Sequence, residues 1–268
     1  MYLIDVGVNL MDASFDHDRE EVIKRAKQAG VSKLILSPTG LDDSLASVKY
    51  ALAYNENSPG TLYSKIGIHP HNAKNWQNGS IKQLRYLAQD KVYIDGIVAL
   101  GECGLDYNRD FSPRDMQRLS FTKQAELAAE LSLPLFLHVR DAFDDFAAIL
   151  NEHIKNIKAA VIHCFTGTGS ELDHYLSLGC YIGITGWICD EKRGKGLREL
   201  IKNIPPNRLL LETDAPFLYP KDLPGNKRNE PCNLVHIANK VSEILGKDPL
   251  ILAEETYRNS LSFFAIVE

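Results

Sequence analysis

Four side chains that could bind a metal ion or move a proton come at the ends of short apolar runs in this chain. They are Glu102 after residues 97–100, His138 after 135–137, His163 after 160–162 and Asp214 after 209–211. A buried carboxylate is costly without a partner, and a metal ion is a common one. The same arrangement at four runs predicts one metal site, with Glu102, His138 and His163 as ligands and Asp214 as a further ligand or the general base.

Two imidazoles and two carboxylates suit a divalent ion that activates water and neutralises an anionic oxygen. The ligand types leave the ion open, because imidazole favours zinc, manganese or iron whereas carboxylates and water also accept magnesium. We take Mg²⁺ as the expected ion, with Mn²⁺ or Zn²⁺ as alternatives. Glu212, two residues before Asp214, is expected to orient a ligand, to bind a second ion, or to be a buried structural acid.

Substrate contacts are expected from side chains that follow the same apolar runs. His69 and His71 flank Pro70 after the third run, and Arg140 lies two residues after His138, where a guanidinium can bind phosphate in a bidentate manner. The aromatic residues Trp187, Phe165 and Tyr107 could stack on a nucleobase. Each also has a simpler interpretation: a loop histidine, an arginine paired with a nearby acid, or an aromatic ring that closes the protein surface.

Apolar strand-like runs alternate with stretches of helical periodicity along the chain. Eight such strands, among them 3–7, 33–37, 62–68 and 180–184, are separated by helical segments such as 41–54 and 113–131. This alternation predicts an α/β fold of the (β/α)8 TIM-barrel type, in which catalytic groups gather at the C-terminal ends of the strands. An open doubly wound sheet is the alternative, but no glycine-rich nucleotide fingerprint follows the first strand.

Composition sets limits on class and location. At 268 residues the chain is close to the roughly 250 residues of a typical barrel, so we expect a single domain over residues 1–268. The formal net charge of −5 gives no general attraction to nucleic acid, so phosphate binding needs local cations or a metal. Five cysteines without a C-x-x-C pair argue against a disulfide framework or a zinc knuckle and favour packing roles. We expect a monomeric cytoplasmic protein without membrane spans.

Several motifs in one order resemble the TatD family of metal-dependent deoxyribonucleases over essentially the whole chain. They are GIHPH at 67–71, GECGLD at 101–106, LHVRD at 137–141, VIHCFTG at 161–167, GITG at 183–186 and LETDAP at 211–216. The resemblance implies a metal-dependent barrel nuclease that removes nucleotides from the 3′ ends of DNA, chiefly single-stranded, with RNA as a further substrate. It also implies that Glu102, His138 and His163 are metal ligands and that Asp214 is catalytic.

One position departs from the family pattern. Many members have a His-x-His pair at the end of the first strand, where this chain has Gly7 and Asn9, and this puts a fixed two-metal centre in doubt. Two other functions stay open. One is a metal-dependent hydrolase of small amides, lactones or phosphotriesters, and the other is a non-enzymatic, metal-containing nucleic-acid binder.

Overall fold

Apolar strands that are buried on both faces alternate with amphipathic helices, as a parallel α/β sheet requires. The computed structural model describes residues 2–225 and 228–267. Its strands are β1 (Leu3–Val8), β2 (Val31–Leu36), β3 (Leu62–Ile66), β4 (Ile97–Asp106), β5 (Leu135–Arg140), β6 (Ala160–Ile162), β7 (Tyr181–Ile184) and β8 (Leu209–Leu211). They follow one another in the sheet in chain order, β1 to β8. This order is that of a (β/α)8 barrel and confirms the predicted fold class.

The helices lie between and after the strands. They are α1 (Arg19–Ala29), α2 (Leu41–Asn57), α3 (Ser80–Gln89), α4 (Arg114–Leu131), α5 (Phe143–His153), α6 (Gly169–Ser177), α7 (Lys195–Leu200), α8 (Leu234–Leu245) and α9 (Pro249–Phe264). In the part of the chain that is described, none of them is both long and apolar enough to cross a membrane.

The chain forms two compact units. The first consists of Met1–Leu36, Cys164–Leu176 and Tyr181–Glu268, and the second of Ser37–His163 and Ser177–Cys180. The first unit contains β1 paired with β2 and β7 paired with β8, and a bridge between Val8 and Ala215 joins the segment after β8 to the end of β1. The second unit contains β3 to β6, paired in parallel. The single domain over residues 1–268 stays a prediction.

Each unit has an apolar core made by its own strands and helices. In the second unit the rings of Phe121 on α4 and Phe146 on α5 are stacked with centroids 5.0 Å apart, and both side chains are fully buried. In the first unit Phe263 of α9 packs edge-on against Tyr181 of β7, with centroids 5.2 Å apart. These helices hold the strands from which the candidate site residues project.

Candidate metal centre

Three imidazole rings of the second unit meet at one carboxylate oxygen. Oε1 of Glu102 lies 2.8 Å from Nε2 of His163, 3.0 Å from Nδ1 of His138 and 3.2 Å from Nε2 of His69. The nearest ring nitrogens of His138 and His163 are 3.3 Å apart. Of the predicted ligands, Glu102, His138 and His163 are therefore together, and His69, which the sequence suggested as a substrate contact, joins them.

The pairing of β4 with β5 places these side chains. Gly104 is opposite His138 and Asp106 is opposite Arg140, so the alternation of a strand puts Glu102 and Asp106 on the face that His138 shares. The ladder shifts register between Leu100 and Cys103, at the peptide that precedes Glu102. His163 comes directly after β6, and its amide donates to the carbonyl of Leu137 at 2.9 Å.

The prediction that strands end at Glu102 and His138 is wrong in detail. β4 continues four residues beyond Glu102 to Asp106, and β5 continues two beyond His138 to Arg140. The glycines on either side of Glu102 allow the two strands to approach closely. A Cβ atom on Gly101 would lie 2.3 Å from the carbonyl oxygen of Phe136, and one on Gly104 would lie 1.9 Å from that of His138.

Asp106 is a second carboxylate in this cluster, to which sequence reasoning assigned no role. Its Oδ2 lies 2.7 Å from Nε2 of His71 and 3.3 Å from Nε2 of His138. Asp106 therefore holds the ring nitrogen of His138 that faces away from Glu102. The sequence signal for this role was the position of Asp106 at the end of the GECGLD motif. Asp106 comes four residues after Glu102 and lies on the same strand face.

The charges of the cluster follow from burial and from its imidazole neighbours. Burial alone would raise the pKa of Glu102, but His163, His69 and His138 together lower it well below its usual range. The pKa of Asp106 is likewise lowered, since hydrogen bonds from His138 and His71 outweigh its burial. Burial lowers the pKa of His69 to about 4, so this ring is neutral at pH 7. Hydrogen bonds to Asp106 and Glu102 raise the pKa of His138 despite its burial.

This donor set fits a divalent metal ion. An ionised carboxylate and ring nitrogens with available lone pairs are the usual protein ligands of such ions. Ligands about 2.1 Å from an octahedral ion are roughly 3.0 Å apart when adjacent. The separations among Glu102 Oε1, His138 Nδ1 and His163 Nε2 are 2.8, 3.0 and 3.3 Å, which suits one small ion. The donor atoms of His69, Glu102 and His138 also lie within 4.8 Å of one another.

The first unit contains the other predicted acids. Asp214 follows β8 in a left-handed backbone conformation, with φ of 55°, and its amide donates to the carbonyl of Gly7 at 2.8 Å. The side-chain amide of Asn9 donates to Oδ1 of Asp214 at 3.1 Å. Glu212 is fully buried, and its Oε1 accepts from the amide of Cys164 at 2.6 Å. Asn9 thus contacts the predicted catalytic acid.

Asp5 is a third acid in this part of the first unit. It is fully buried in β1 and accepts hydrogen bonds from the amide of Thr213 at 2.9 Å and from its hydroxyl at 2.5 Å. Burial raises the pKa of Asp5 to about 7, although these hydrogen bonds oppose the shift. Asp5 therefore fixes the backbone just before Asp214 to the first strand.

The predicted substrate contacts differ in exposure. Arg140 is exposed at the end of β5, and His71 keeps 31% of its side chain exposed. Trp187 lies in a short 3₁₀ turn, Gly186–Cys189, and lines a cavity of about 220 Å³ with Tyr219, Arg193 and Lys221.

The other two aromatic residues are engaged elsewhere. Phe165 is only 3% exposed and packs edge-on against Tyr175, so it offers no free face to a base. The hydroxyl of Tyr107 donates to Asp145 at 2.6 Å, and the guanidinium of Arg114 lies 4.3 Å from the centroid of its ring. For Phe165 the burial therefore favours the structural alternative over base stacking.

A parallel α/β chain with imidazoles and a carboxylate converging on adjacent strands is typical of metal-dependent hydrolases with the (β/α)8 fold. The chain matches the family described as TatD related DNase over residues 4–265. A protein named 3′-5′ ssDNA/RNA exonuclease TatD from Yersinia pseudotuberculosis is 47% identical over 99% of this chain and 100% of its own length. A protein of the same name from Pectobacterium carotovorum is 44% identical over 98% of this chain and 100% of its own length.

Solved structures similar to this chain include members of the same family. A TatD family hydrolase from Entamoeba histolytica has a TM-score of 0.88 and 28% identity, covering 98% of both chains. The TatD homologue YJJV from Escherichia coli has a TM-score of 0.88 and 27% identity, covering 99% of this chain and 98% of its own. This chain belongs to the TatD-related DNase family, which confirms the resemblance seen in its motifs.

Proposed function

We propose that this protein is a metal-dependent nuclease that hydrolyses phosphodiester bonds from the 3′ end of single-stranded DNA and of RNA. The observation that carries the proposal is the convergence of three imidazoles on Glu102 in a chain of the TatD family. Full-length relatives at 44–47% identity are named for this activity, which supports the direction of cleavage and the choice of substrate.

The ligands we propose are Glu102, His138 and His163, with Asp214 as a fourth ligand or as the proton acceptor. Mg²⁺ is the ion we expect, and Mn²⁺ or Zn²⁺ would suit the imidazoles as well. When bound, the ion lowers the pKa of water and offsets negative charge on the phosphate. His69, buried against Glu102, helps to hold that carboxylate in position.

Proton transfer is assigned to Asp214. An ionised carboxylate can accept the proton of the attacking water. The hydrogen bond from Asn9 fixes the orientation of this carboxylate, and the buried Asp5 anchors the adjacent Thr213. We propose that Glu212 supports the segment that contains Asp214. Glu212 accepts a hydrogen bond from the backbone amide of Cys164, the residue that follows His163.

Substrate contacts are assigned by exposure and chemistry. Arg140 binds a phosphate through its guanidinium, since two fixed donors match two phosphate oxygens. His71, partly exposed beside Asp106, donates to a substrate oxygen. Trp187 stacks on a base in the cavity that Arg193 and Lys221 also line. These local cations offset the acidic net charge of the chain.

The test is turnover of a 5′-labelled single-stranded oligonucleotide by metal-stripped protein to which Mg²⁺, Mn²⁺ or Zn²⁺ is returned. We expect stepwise shortening from the 3′ end that requires the ion. The His163→Ala variant removes a ligand and should lower the rate by about 10³-fold or more, a loss of roughly 4 kcal/mol of transition-state stabilisation. His17→Ala, which removes an exposed imidazole, is the matched control and should retain the wild-type rate.

A folded His163→Ala protein with wild-type turnover would contradict the proposed centre. Absence of cleavage with every ion, together with hydrolysis of a lactone, an amide or a phosphotriester, would favour the small-molecule hydrolase instead. Tight metal-independent binding of the oligonucleotide without turnover would favour the non-enzymatic binder.

A monomeric state and a cytoplasmic location are part of this proposal. None of the five cysteines, all within the described residues, forms a disulfide, which suits a reducing compartment. Sedimentation of the purified protein tests the monomer, and fractionation of the source cells tests the location.

A further inference from the structure

The first unit contains a second group of metal-binding side chains that shares no residue with the cluster around Glu102. Cys189 ends the 3₁₀ turn after β7, Asp222 lies in the loop after β8, and His236 lies in the first turn of α8. Their donor atoms are all within 4.8 Å of one another. Nε2 of His236 is 2.7 Å from Oδ1 of Asp222.

The donor types indicate which ion would bind. Sulfur and nitrogen donors select against magnesium and calcium, which prefer oxygen alone. Zinc accepts Cys, His and Asp ligands together, in a four-coordinate arrangement. No sequence motif marks this set of ligands. Asp222 comes 33 positions after Cys189, and His236 comes a further 14 positions along the chain.

We propose that Cys189, Asp222 and His236 bind a zinc ion, with solvent as the fourth ligand. The burial of the three side chains allows this arrangement. Cys189 is 2% exposed, whereas the side chains of Asp222 and His236 are 27% and 31% exposed, so solvent reaches the cluster from one side only. A bound ion would replace the present hydrogen bond between Asp222 and His236 with two bonds to the metal.

Charged groups around the thiol favour a cation at this place. Asp222 places a carboxylate oxygen within 4.8 Å of the Sγ atom of Cys189. The two cations that act on Cys189, Arg198 and Lys240, have partners elsewhere. Arg198 donates to the carbonyls of Ile188 and Asp190, and Lys240 pairs with a glutamate on its own helix. A zinc ion would compensate the carboxylate and the thiolate together.

Such an ion would connect α8 to two loops that line one cavity. Trp187 and Lys221 line the cavity of about 220 Å³. Cys189 is two residues after Trp187, and Asp222 directly follows Lys221. Zinc would thereby brace the walls of that cavity and fix the start of α8. The three ligands would join two loops to one helix, and the fourth position would face solvent.

Cobalt provides a test that does not depend on activity. Co²⁺ replaces Zn²⁺ in such sites, and a thiolate ligand gives a charge-transfer band in the near ultraviolet. We expect this band when Co²⁺ is added to the metal-stripped full-length protein, and we expect Zn²⁺ to displace it. The Cys189→Ser variant should lack the band, whereas Cys232→Ser and Cys164→Ser, which remove two partly exposed thiols, should keep it.

Three results would overturn the proposal: no band in the wild-type protein, a band that persists in Cys189→Ser, or a band that excess Zn²⁺ leaves unchanged. Should Cys189→Ser fail to fold, His236→Gln tests the same site at a half-exposed position. In that variant we expect the tetrahedral visible bands of cobalt to be lost. Retention of these bands at wild-type intensity would exclude His236 as a ligand.

Discussion

Asp106 acts on the candidate metal centre through the ring of His138. It binds the far nitrogen of this ring, at 3.3 Å, while the near nitrogen faces Glu102. A carboxylate in this position fixes the orientation of a ligand ring and increases its basicity. Asp106 also fixes its own loop, since it accepts from the amides of Asn108 and Arg109 at 3.0 and 2.8 Å.

We therefore expect Asp106→Asn to weaken metal binding by roughly 10- to 100-fold, as is typical when a group behind a ligand is changed. Asparagine keeps the shape of the side chain but removes the charge that faces His138. Titration of Mn²⁺ into the stripped variant, followed by calorimetry, measures the change. Asp110→Asn, an exposed acid that pairs only with Arg114 among the described contacts, is the control. Equal affinities in the two variants would show that Asp106 does not position the ligand.

At the level of elements, the close approach of β4 and β5 decides where the ligands meet. Gly104 has φ of 141°, a conformation that favours glycine, and its Cα faces the backbone of His138. Both carboxylates of the cluster lie on β4 and one imidazole on β5, so the distance between these two strands sets the separation of the donors.

Gly104→Ala should accordingly destabilise the protein by about 4 kcal/mol or more, because the added methyl would lie 1.9 Å from a backbone oxygen that cannot move freely. Urea unfolding measures the loss, and metal affinity should fall with it. Gly196→Ala is the matched control: this glycine lies in α7 with nothing near its absent Cβ, so we expect no loss or a gain of up to about 1 kcal/mol. Similar stability of the two variants would contradict the role given to Gly104.

At the level of the whole molecule, a network of four charges ties the loop before α8 to α1. Arg25 pairs with Glu230 at 2.7 Å and with Asp18 at 2.9 Å, and Arg228 pairs with each of these acids at 2.8 Å. The arginines lower the pKa of Asp18 and of Glu230. A lowered pKa means that the folded state gains stability above the unfolded-state pKa and loses it as the pH falls.

The free energy of unfolding should thus decrease on acidification below about pH 4.5, and this decrease should be smaller in Glu230→Gln. At pH 7 the variant should be about 1 to 2 kcal/mol less stable, since two partly buried guanidinium groups lose one partner. Urea unfolding at about pH 7 and about pH 4 tests both statements. Glu126→Gln removes an exposed i,i+3 pair with Lys123 and should change stability by less than about 0.5 kcal/mol. A steeper acid response in Glu230→Gln than in the wild type would contradict the assignment.

Local sequence determined much of this protein. The order of strands and helices, the fold class, the family and the convergence of Glu102, His138 and His163 could all be predicted, because periodicity and short motifs act over a few residues. The end of β4 could not, since a carboxylate after an apolar run predicts a strand end. In the structure Gly101 and Gly104 let β4 continue alongside β5 as far as Asp106.

The tertiary structure alone decided which atoms meet. His69, which the sequence suggested as a substrate contact, lies against Glu102, and Phe165 is a core residue. Asp106 belongs to the cluster, although the sequence analysis gave it no role. Cys189, Asp222 and His236 lie close together, although Cys189 and His236 are 47 positions apart in the sequence. Contacts of this kind depend on how strands pair and loops return, and this is set by the packing of distant segments, which no local pattern contains.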